Sequence, residues 1–442
     1  MIILGNQLQL IRLTLLNTRR GTMKKYFVII CLAVFAGLYF AGCGSSGGGE
    51  TTTTTTVQGA TTTTAQGATT TTIQEATTTT TTSTTSTTST NPGSGTWSAV
   101  GTRGFSTGSA EGVAIACDES NGSIYVACVD RGKGDKLYVM RFDGADWVEV
   151  GSGPVTSEAV SISENDVPSL IVNNGIPYAA FITSPGADLL VRKYSGGAWV
   201  DVGSLPVSGS AGYCSLQITG ETPYVATNDF GLMKVFYLNG ATWDWVNSSL
   251  VSLGSNHWLS LAMLGTTPYV AFRDANNNSR ATVKYSPGGS WATLGGAGFG
   301  VESDSVVYTS LAINSSNNIF VAFKRNAVSP YKAVVMKYNS TTTSWEAVGA
   351  EGISDGEADL TRLKCFGQDL YLSYKDMANQ SGITTLLYDH SSAGWYVLGT
   401  AAFSGQEADL PALTVDPNGT PYVAFQDGQS QGKLTVMKFT GN

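Results

Sequence analysis

Histidine is nearly absent from this chain: His257 and His390 are the only two in 442 residues. Charge is also sparse. Asp, Glu, Lys and Arg make up 13% of the residues, with 33 acids against 25 bases. The basic residues are scattered rather than striped, which excludes a nucleic-acid footprint. There is no Gly-x-Ser-x-Gly elbow, phosphate loop or Cys-x-x-Cys, so three common routes to catalysis or redox chemistry lack their motif. No sustained helical period runs between residues 97 and 442, which excludes helix bundles and α/β layers.

What the chain does have is a refrain. Trp followed by x-x-Val-Gly, or a near variant, begins at Trp97, Trp147, Trp199, Trp245, Trp291, Trp345 and Trp395, with spacings of 50, 52, 46, 46, 54 and 50. Seven units of this length predict a closed ring of small sheets, an all-β, seven-bladed β-propeller with four-stranded antiparallel blades.

The last unit shows the blade best. Leu413 and Val415 lie two apart and share one strand face. A turn at Asn418-Gly419 follows, then Pro421-Tyr-Val-Ala-Phe425 as a second strand and Lys433-Leu-Thr-Val-Met-Lys-Phe439 as a third. Pro-Tyr-Val-Ala or a variant returns at Pro177, Pro223 and Pro268. The refrain supplies the fourth strand. The repeat region opens with a lone fourth strand at Trp97 and ends after a third strand, so Trp97–Val100 is expected to pair with Lys433–Phe439 and close the ring.

The N-terminus reads as an export signal over residues 1–42, with Met23 as a second candidate start. Met23-Lys-Lys is a basic n-region, and the apolar run Tyr26–Phe40 is shorter than the ~20 residues of a spanning helix. The run ends in Phe40-Ala-Gly-Cys43, which resembles a bacterial lipoprotein box, with Phe40 where such boxes usually carry Leu. That resemblance implies lipidation of Cys43 and a cell-envelope location, at an outer membrane, cell surface or periplasm. Residues 43–96 form a Thr/Gly/Ser-rich tract with almost nothing to bury, expected to be a disordered tether to the propeller at 97–442. Removal of the five bases before Cys43 moves the formal net charge from −8 to −13.

Cys117, Cys128, Cys214 and Cys365 would then remain. If Asn121-Gly122 sets the hairpin register, Cys117 faces Val126 and Cys128 faces Ile115. That puts the two Cα atoms about 7–8 Å apart on a diagonal. Disulfides prefer less than ~6.8 Å, so buried free thiols are expected.

The turn before each Trp resembles the Asp-box of sialidase-type propellers, with Asp143-Gly-Ala-Asp-Trp147 nearest to it but differently spaced. The repeat also resembles kelch blades in length and Trp use, although its Gly pair follows the Tyr. These resemblances cover residues 97–442 as an architecture and point to no specific family. A sialidase would need three clustered Arg. The eight Arg of the propeller share no repeat position, so that chemistry is set aside. The two His fall in different blades on opposite faces, which leaves no two-His metal site and no Ser-His-Asp arrangement. The repeated Trp, and the positions Phe105, Phe299, Ile353 and Phe403, are expected to pack blades and anchor loops. Asp130, Asp229, Asp274, Asp376 and Asp427 end second strands and are expected to bond loop N–H groups.

One pattern breaks the seven-fold symmetry. Aligned on the inner-strand residues Ile115, Leu170, Leu216, Leu261, Leu311, Leu363 and Leu413, the position four earlier is Glu111, Asp166, Gly212, His257, Val307, Asp359 and Asp409. Two residues before that come Glu164, Glu357 and Glu407 in blades two, six and seven. Glu111, Glu164, Asp166, Glu357, Asp359, Glu407 and Asp409 are therefore expected as an acidic arc on the top rim, open to a cation such as Ca²⁺ or to a basic partner. The functional expectation is a monomeric, lipid-anchored binding or scaffold module for an envelope or extracellular protein or glycan, with no cofactor required. The alternatives are a lectin with repeated sugar sites, or a carbohydrate-active hydrolase or lyase using rim carboxylates such as Glu357 with Asp409.

Overall fold

The computed structural model describes residues 91–163, 166–300, 304–327 and 329–441. The expected signal, Cys43 and most of the Thr-rich tract lie outside the described residues. Seven antiparallel sheets follow one another around a ring. Blade one runs from the inner strand Ala110–Cys117 through Ile124–Asp130 and Lys136–Phe142 to the outer strand Trp147–Glu149. Blade seven is built from both ends of the repeat region: Ala408–Val415, Pro421–Asp427, Lys433–Gly441 and, on its outer edge, Gly95–Ala99. Trp97 faces Phe439 and Ala99 faces Met437 in that closing pair. Among the described residues the only helical elements are short 3₁₀ turns.

Seven apolar clusters fill the ring, each lying between two adjacent blades. The inner-strand Leu or Ile of each blade points back into the cluster shared with the preceding blade, while fully buried Phe181, Phe236, Phe272, Phe323 and Phe425 fill the middle of the sheets. Burial of this kind is the main favourable term in folding.

The refrain explains itself in three dimensions. Trp147 Nε1 donates to the carbonyl of Val100 at 2.7 Å, Trp199 to Val150 at 3.0 Å, Trp345 to Leu294 at 3.0 Å, Trp395 to Val348 at 2.8 Å and Trp97 to Leu398 at 2.8 Å. Each Trp thus bonds the fourth residue of the previous refrain. The Gly that follows must let the indole pass: a Cβ on Gly349, whose φ is +84°, would lie 2.9 Å from Trp395 Cδ1. The other face of the indole is covered by the repeated Phe. Phe105 stacks on Trp147 at 4.9 Å, Phe299 on Trp345 at 4.1 Å and Phe403 on Trp97 at 3.9 Å between ring centroids.

Two sequence expectations need correction. In blade three the interlocking residue is Trp243, which donates to Val202 O at 2.6 Å, and not Trp245. Trp245 instead lies edge-on to Phe236 with Lys234 over its ring. The blade-three refrain ends in Val246-Asn247, with Asn247 at φ +59° in place of Gly. Here the interlock fails, and Trp291 Nε1 is buried without an acceptor. The second correction concerns Cys117, which faces Ile124. The link is longer than a two-residue turn: Gly122 N and Asn121 N both return to Asp118 O. Cys117 and Cys128 are buried free thiols, and burial pushes the Cys117 thiol up to about 12.

Replacing Trp345 by Phe removes the donor to Leu294 O and is expected to destabilise the ring by about 1–3 kcal/mol. Trp291→Phe loses no hydrogen bond and should cost less. Urea unfolding of both variants checks the difference, and equal losses would refute the interlock.

Candidate functional site

The inner strands converge on the axis, and their first residues form the top mouth of the central channel. Six of the seven inner strands carry a bulge there, with register shifts after Glu111, Gly212, His257, Val307, Asp359 and Asp409. The bulge places one residue at positive φ: Gly112, Tyr213, Trp258, Tyr308, Leu360 and Leu410. Gly is the unstrained choice at such a position, and a bulky residue costs about 1–3 kcal/mol. Blades three, four and five nevertheless hold Tyr, Trp and Tyr.

Below the bulge a side-chain ladder links blade to blade. Ser169, Ser215, Ser260 and Ser310 Oγ each accept the inner-edge N–H of the next blade, from Leu216, Leu261, Leu311 and Leu363, all at 3.0 Å. Thr361 Oγ1 donates to Tyr308 O at 2.6 Å, Thr309 donates to Trp258 O, and Cys214 Sγ reaches Val167 O at 3.5 Å. These bonds satisfy backbone groups that no fifth strand covers. The ladder position is Ala in blades one and seven and Arg362 in blade six.

The channel is a cavity of about 220 Å³ lined by Tyr213, Trp258, Tyr308, Arg362 and Lys364 among others. Arg362 Nη1 donates to Thr361 O at 3.1 Å. Solvent reaches Arg362 and Lys364 through the channel, yet protein crowds them, and burial pulls both cations below their ordinary values.

The acidic rim is a chain of pairs. Lys324 Nζ holds Glu357 Oε1 at 2.7 Å and also holds Asp359. Lys375 Nζ holds Asp409 Oδ2 at 2.7 Å, and Arg131 Nε reaches Glu111 Oε1 at 3.2 Å. Asp166 accepts from Ser161 Oγ at 2.8 Å and from Tyr213 N at 3.1 Å. Glu407 is exposed, and Glu164 lies outside the described residues. Glu357 and Asp359 are thus brought together on one lysine, while Asp409 is held by another. Among the described residues no three acid, His or Cys side chains form a metal-ligand group. Burial lowers the Lys324 ammonium, but the hydrogen bonds it donates to Asp359 and Glu357 outweigh that and hold the group above its ordinary value.

Four of the five second-strand Asp hold turns, whereas Asp229 departs from the expectation: it accepts from Ser210 Oγ and pairs with Lys234 Nζ at 2.6 Å. Asp130 accepts Gly108 N at 2.8 Å and Gly132 N at 2.9 Å, and Asp274, Asp376 and Asp427 cap the corresponding turns from buried positions.

Sequence reasoning missed the aromatic side of the mouth. Tyr213 and His257 lie edge to face, with the Tyr213 hydroxyl 2.5 Å from His257 Nδ1. Trp258 is 5.5 Å from both His257 and Tyr308 between ring centroids, and Arg273 Cζ sits 5.3 Å over the Trp258 ring. The available signal was an aromatic three residues before the aligned Leu in three consecutive blades. It carries no helical or strand period, so only the bulge gives it meaning.

No family model matches the chain, and no curated protein does. Among solved structures it is similar to a protein of unknown function from Dyadobacter fermentans, at 11% identity over 78% of this chain and 98% of that one, with a TM-score of 0.45. It is also similar to the SapL1 lectin in complex with alpha methyl fucoside, at 13% identity over 67% and 97%, TM-score 0.45. A third is a triple arginine-to-alanine mutant of AofleA from Arthrobotrys oligospora, at 9% identity over 69% and 91%, TM-score 0.44.

Burial first, and then the Arg273 charge, hold the His257 imidazole below its ordinary 6.5. The folded state therefore binds fewer protons than the unfolded chain in the window below 6.5. Stability is complete above that value and falls as pH drops through the lower folded value. His257→Gln is expected to flatten this part of the melting-temperature profile, and an unaltered slope would show that His257 is not its source. Cation capture by the acids must break the lysine pairs. Millimolar Ca²⁺ is therefore expected to raise the melting temperature of a Lys324→Ala/Lys375→Ala variant and not that of the wild type; a wild-type rise would show that the pairs yield to the metal.

Proposed function

We propose that the chain is a membrane-tethered, extracytoplasmic binding module that takes its ligand at the top mouth of the propeller channel. The observation that carries this reading is the run of Tyr213, Trp258 and Tyr308 lining the mouth at a positive-φ bulge position that holds Leu in blades six and seven and Gly in blade one. Strain of this kind persists where surrounding structure over-determines it, and it gathers at ligand clamps. Half-buried aromatic faces at the mouth of a small cavity suit stacking against a ligand ring.

The tether rests on the sequence: the signal, Cys43 in its lipoprotein-like box and the Thr-rich tract set the propeller off a membrane. The acids of blades six, seven and one lie on the same rim. Held by Lys324, Lys375 and Arg131, Glu357, Asp359, Asp409 and Glu111 favour a polar wall of the binding mouth over a hydrolytic pair. One aromatic cluster confined to three blades favours a single site over one sugar site per blade.

A glycan array probed with the full-length chain and with Trp258→Ala tests the reading. Specific capture that the substitution removes is expected. Capture that survives it, or silence across the array, counts against a glycan site at this mouth.

A further inference from the structure

A register comparison singles out one cation at the mouth. In blades five and six the residue near the top of the second strand is Lys324, opposite Val307, and Lys375, opposite Asp359. Each reaches across to the inner strand of the next blade and finds an acid there: Lys324 bonds Asp359, and Lys375 bonds Asp409. In blade seven the same position is Gln426, which bonds Ser109 Oγ and Ala110 O of blade one. In blade three it is Asn228, which bonds Asn256 O of blade four.

Blade four places Arg273 at this position, opposite His257. The residue it should meet in blade five is Val307, which has nothing to offer a cation. Arg273 forms no ion pair among the described residues, and its Nε is buried without an acceptor. The indole over which it lies is in the same state, since Trp258 Nε1 is also buried with no acceptor. Leaving such donors unmatched costs free energy comparable to a lost hydrogen bond. Of the three cations at this register position, Arg273 alone therefore has no acid to meet, and it lies instead over the Trp258 ring. Arg362, another cation without a carboxylate partner among the described residues, lines the cavity together with Trp258 and Tyr308, at a position that is Ser in blades two to five, whereas Arg273 lies over the Trp258 ring and outside that lining.

We propose that the blade three-to-five side of the mouth, resting on the binding reading above, is a subsite for an acidic sugar. The pyranose ring lies against Trp258 and Tyr308, and its carboxylate takes the guanidinium of Arg273. The channel, at about 220 Å³, is smaller than the roughly 300–1,000 Å³ of a drug-sized site. One uronate ring enters, not a stretch of polymer. Arg suits this role because its planar fork matches a carboxylate and also stacks on aromatic faces. Four of the rim acids, Glu357, Asp359, Asp409 and Glu111, are offset by Lys324, Lys375 and Arg131, which limits their repulsion of the ligand.

Calorimetric titration of the full-length protein with glucuronate and galacturonate, against glucose, galactose and acetate, tests the subsite. One of the uronates should bind in preference to its neutral sugar and to acetate. Arg273→Met should weaken it at least about tenfold, the expected effect of losing a charge-assisted hydrogen bond, and Arg273→Lys should retain part of the affinity. Val307→Asp keeps the result interpretable if Arg273→Met folds poorly. It gives Arg273 the partner that Lys324 and Lys375 already have, so it should abolish uronate binding while the melting temperature holds or rises. Equal binding of acidic and neutral sugars, no uronate binding, or binding unchanged by both Arg273→Met and Val307→Asp would overturn the subsite. A neutral glycan lost only on Trp258→Ala would overturn it too, yet leave the binding module standing.

Discussion

The structure depends on one contact repeated at six of the seven blades, an indole N–H bonded to the backbone carbonyl of the fourth residue of the previous refrain. It fixes the spacing and angle between blades. A four-stranded blade cannot bury both of its faces alone, so its stability is shared with its neighbours. The contact also accounts for each letter of the refrain. Trp supplies the donor, Val or Leu packs at the blade edge and presents the carbonyl, and Gly turns the chain under the next indole without a Cβ. The last link, Trp97 to Leu398, joins a strand from the start of the repeat region to blade six and so closes the ring.

A second circle, at the axis, supplies the exposed inner edges. Ser oxygens accept N–H groups and Thr hydroxyls cap carbonyls from one blade to the next. Both circles are interrupted locally. The outer circle breaks at Trp291, where Asn247 stands in the refrain in place of Gly. The inner circle breaks at Ala412 and Ala114, which carry no hydroxyl, and at Arg362, where a guanidinium in place of a small hydroxyl puts charge into the channel.

The acidic half of the mouth was legible as residue types. Counting back from the aligned Leu places Asp359, Asp409 and Glu111 at equal depth, because a strand advances by a fixed rise. Their partners were not legible. Lys324 and Lys375 lie on the second strands of preceding blades, and only the stagger between blades brings them into reach. The aromatic half was hidden for a related reason. The bulge displaces Tyr213, Trp258 and Tyr308 from the strand period, so residues that would alternate between faces are turned into the mouth instead. His257 read as an isolated residue until Tyr213 and Arg273 arrived from two other strands.

The sequence by itself determined the seven-fold ring, its all-β blades and the closure by Trp97, because those follow from local period and from the need to leave no sheet edge open. It also held the true blade-three Trp two residues from the one that a count selects. Only the tertiary structure decided that Trp243 and not Trp245 makes the interlock, that Glu111, Glu357, Asp359 and Asp409 are paired with cations, and that Arg273 is left facing Val307. These depend on which side chains meet across blades some fifty residues apart, and neither the period of a strand nor the length of a repeat carries that information.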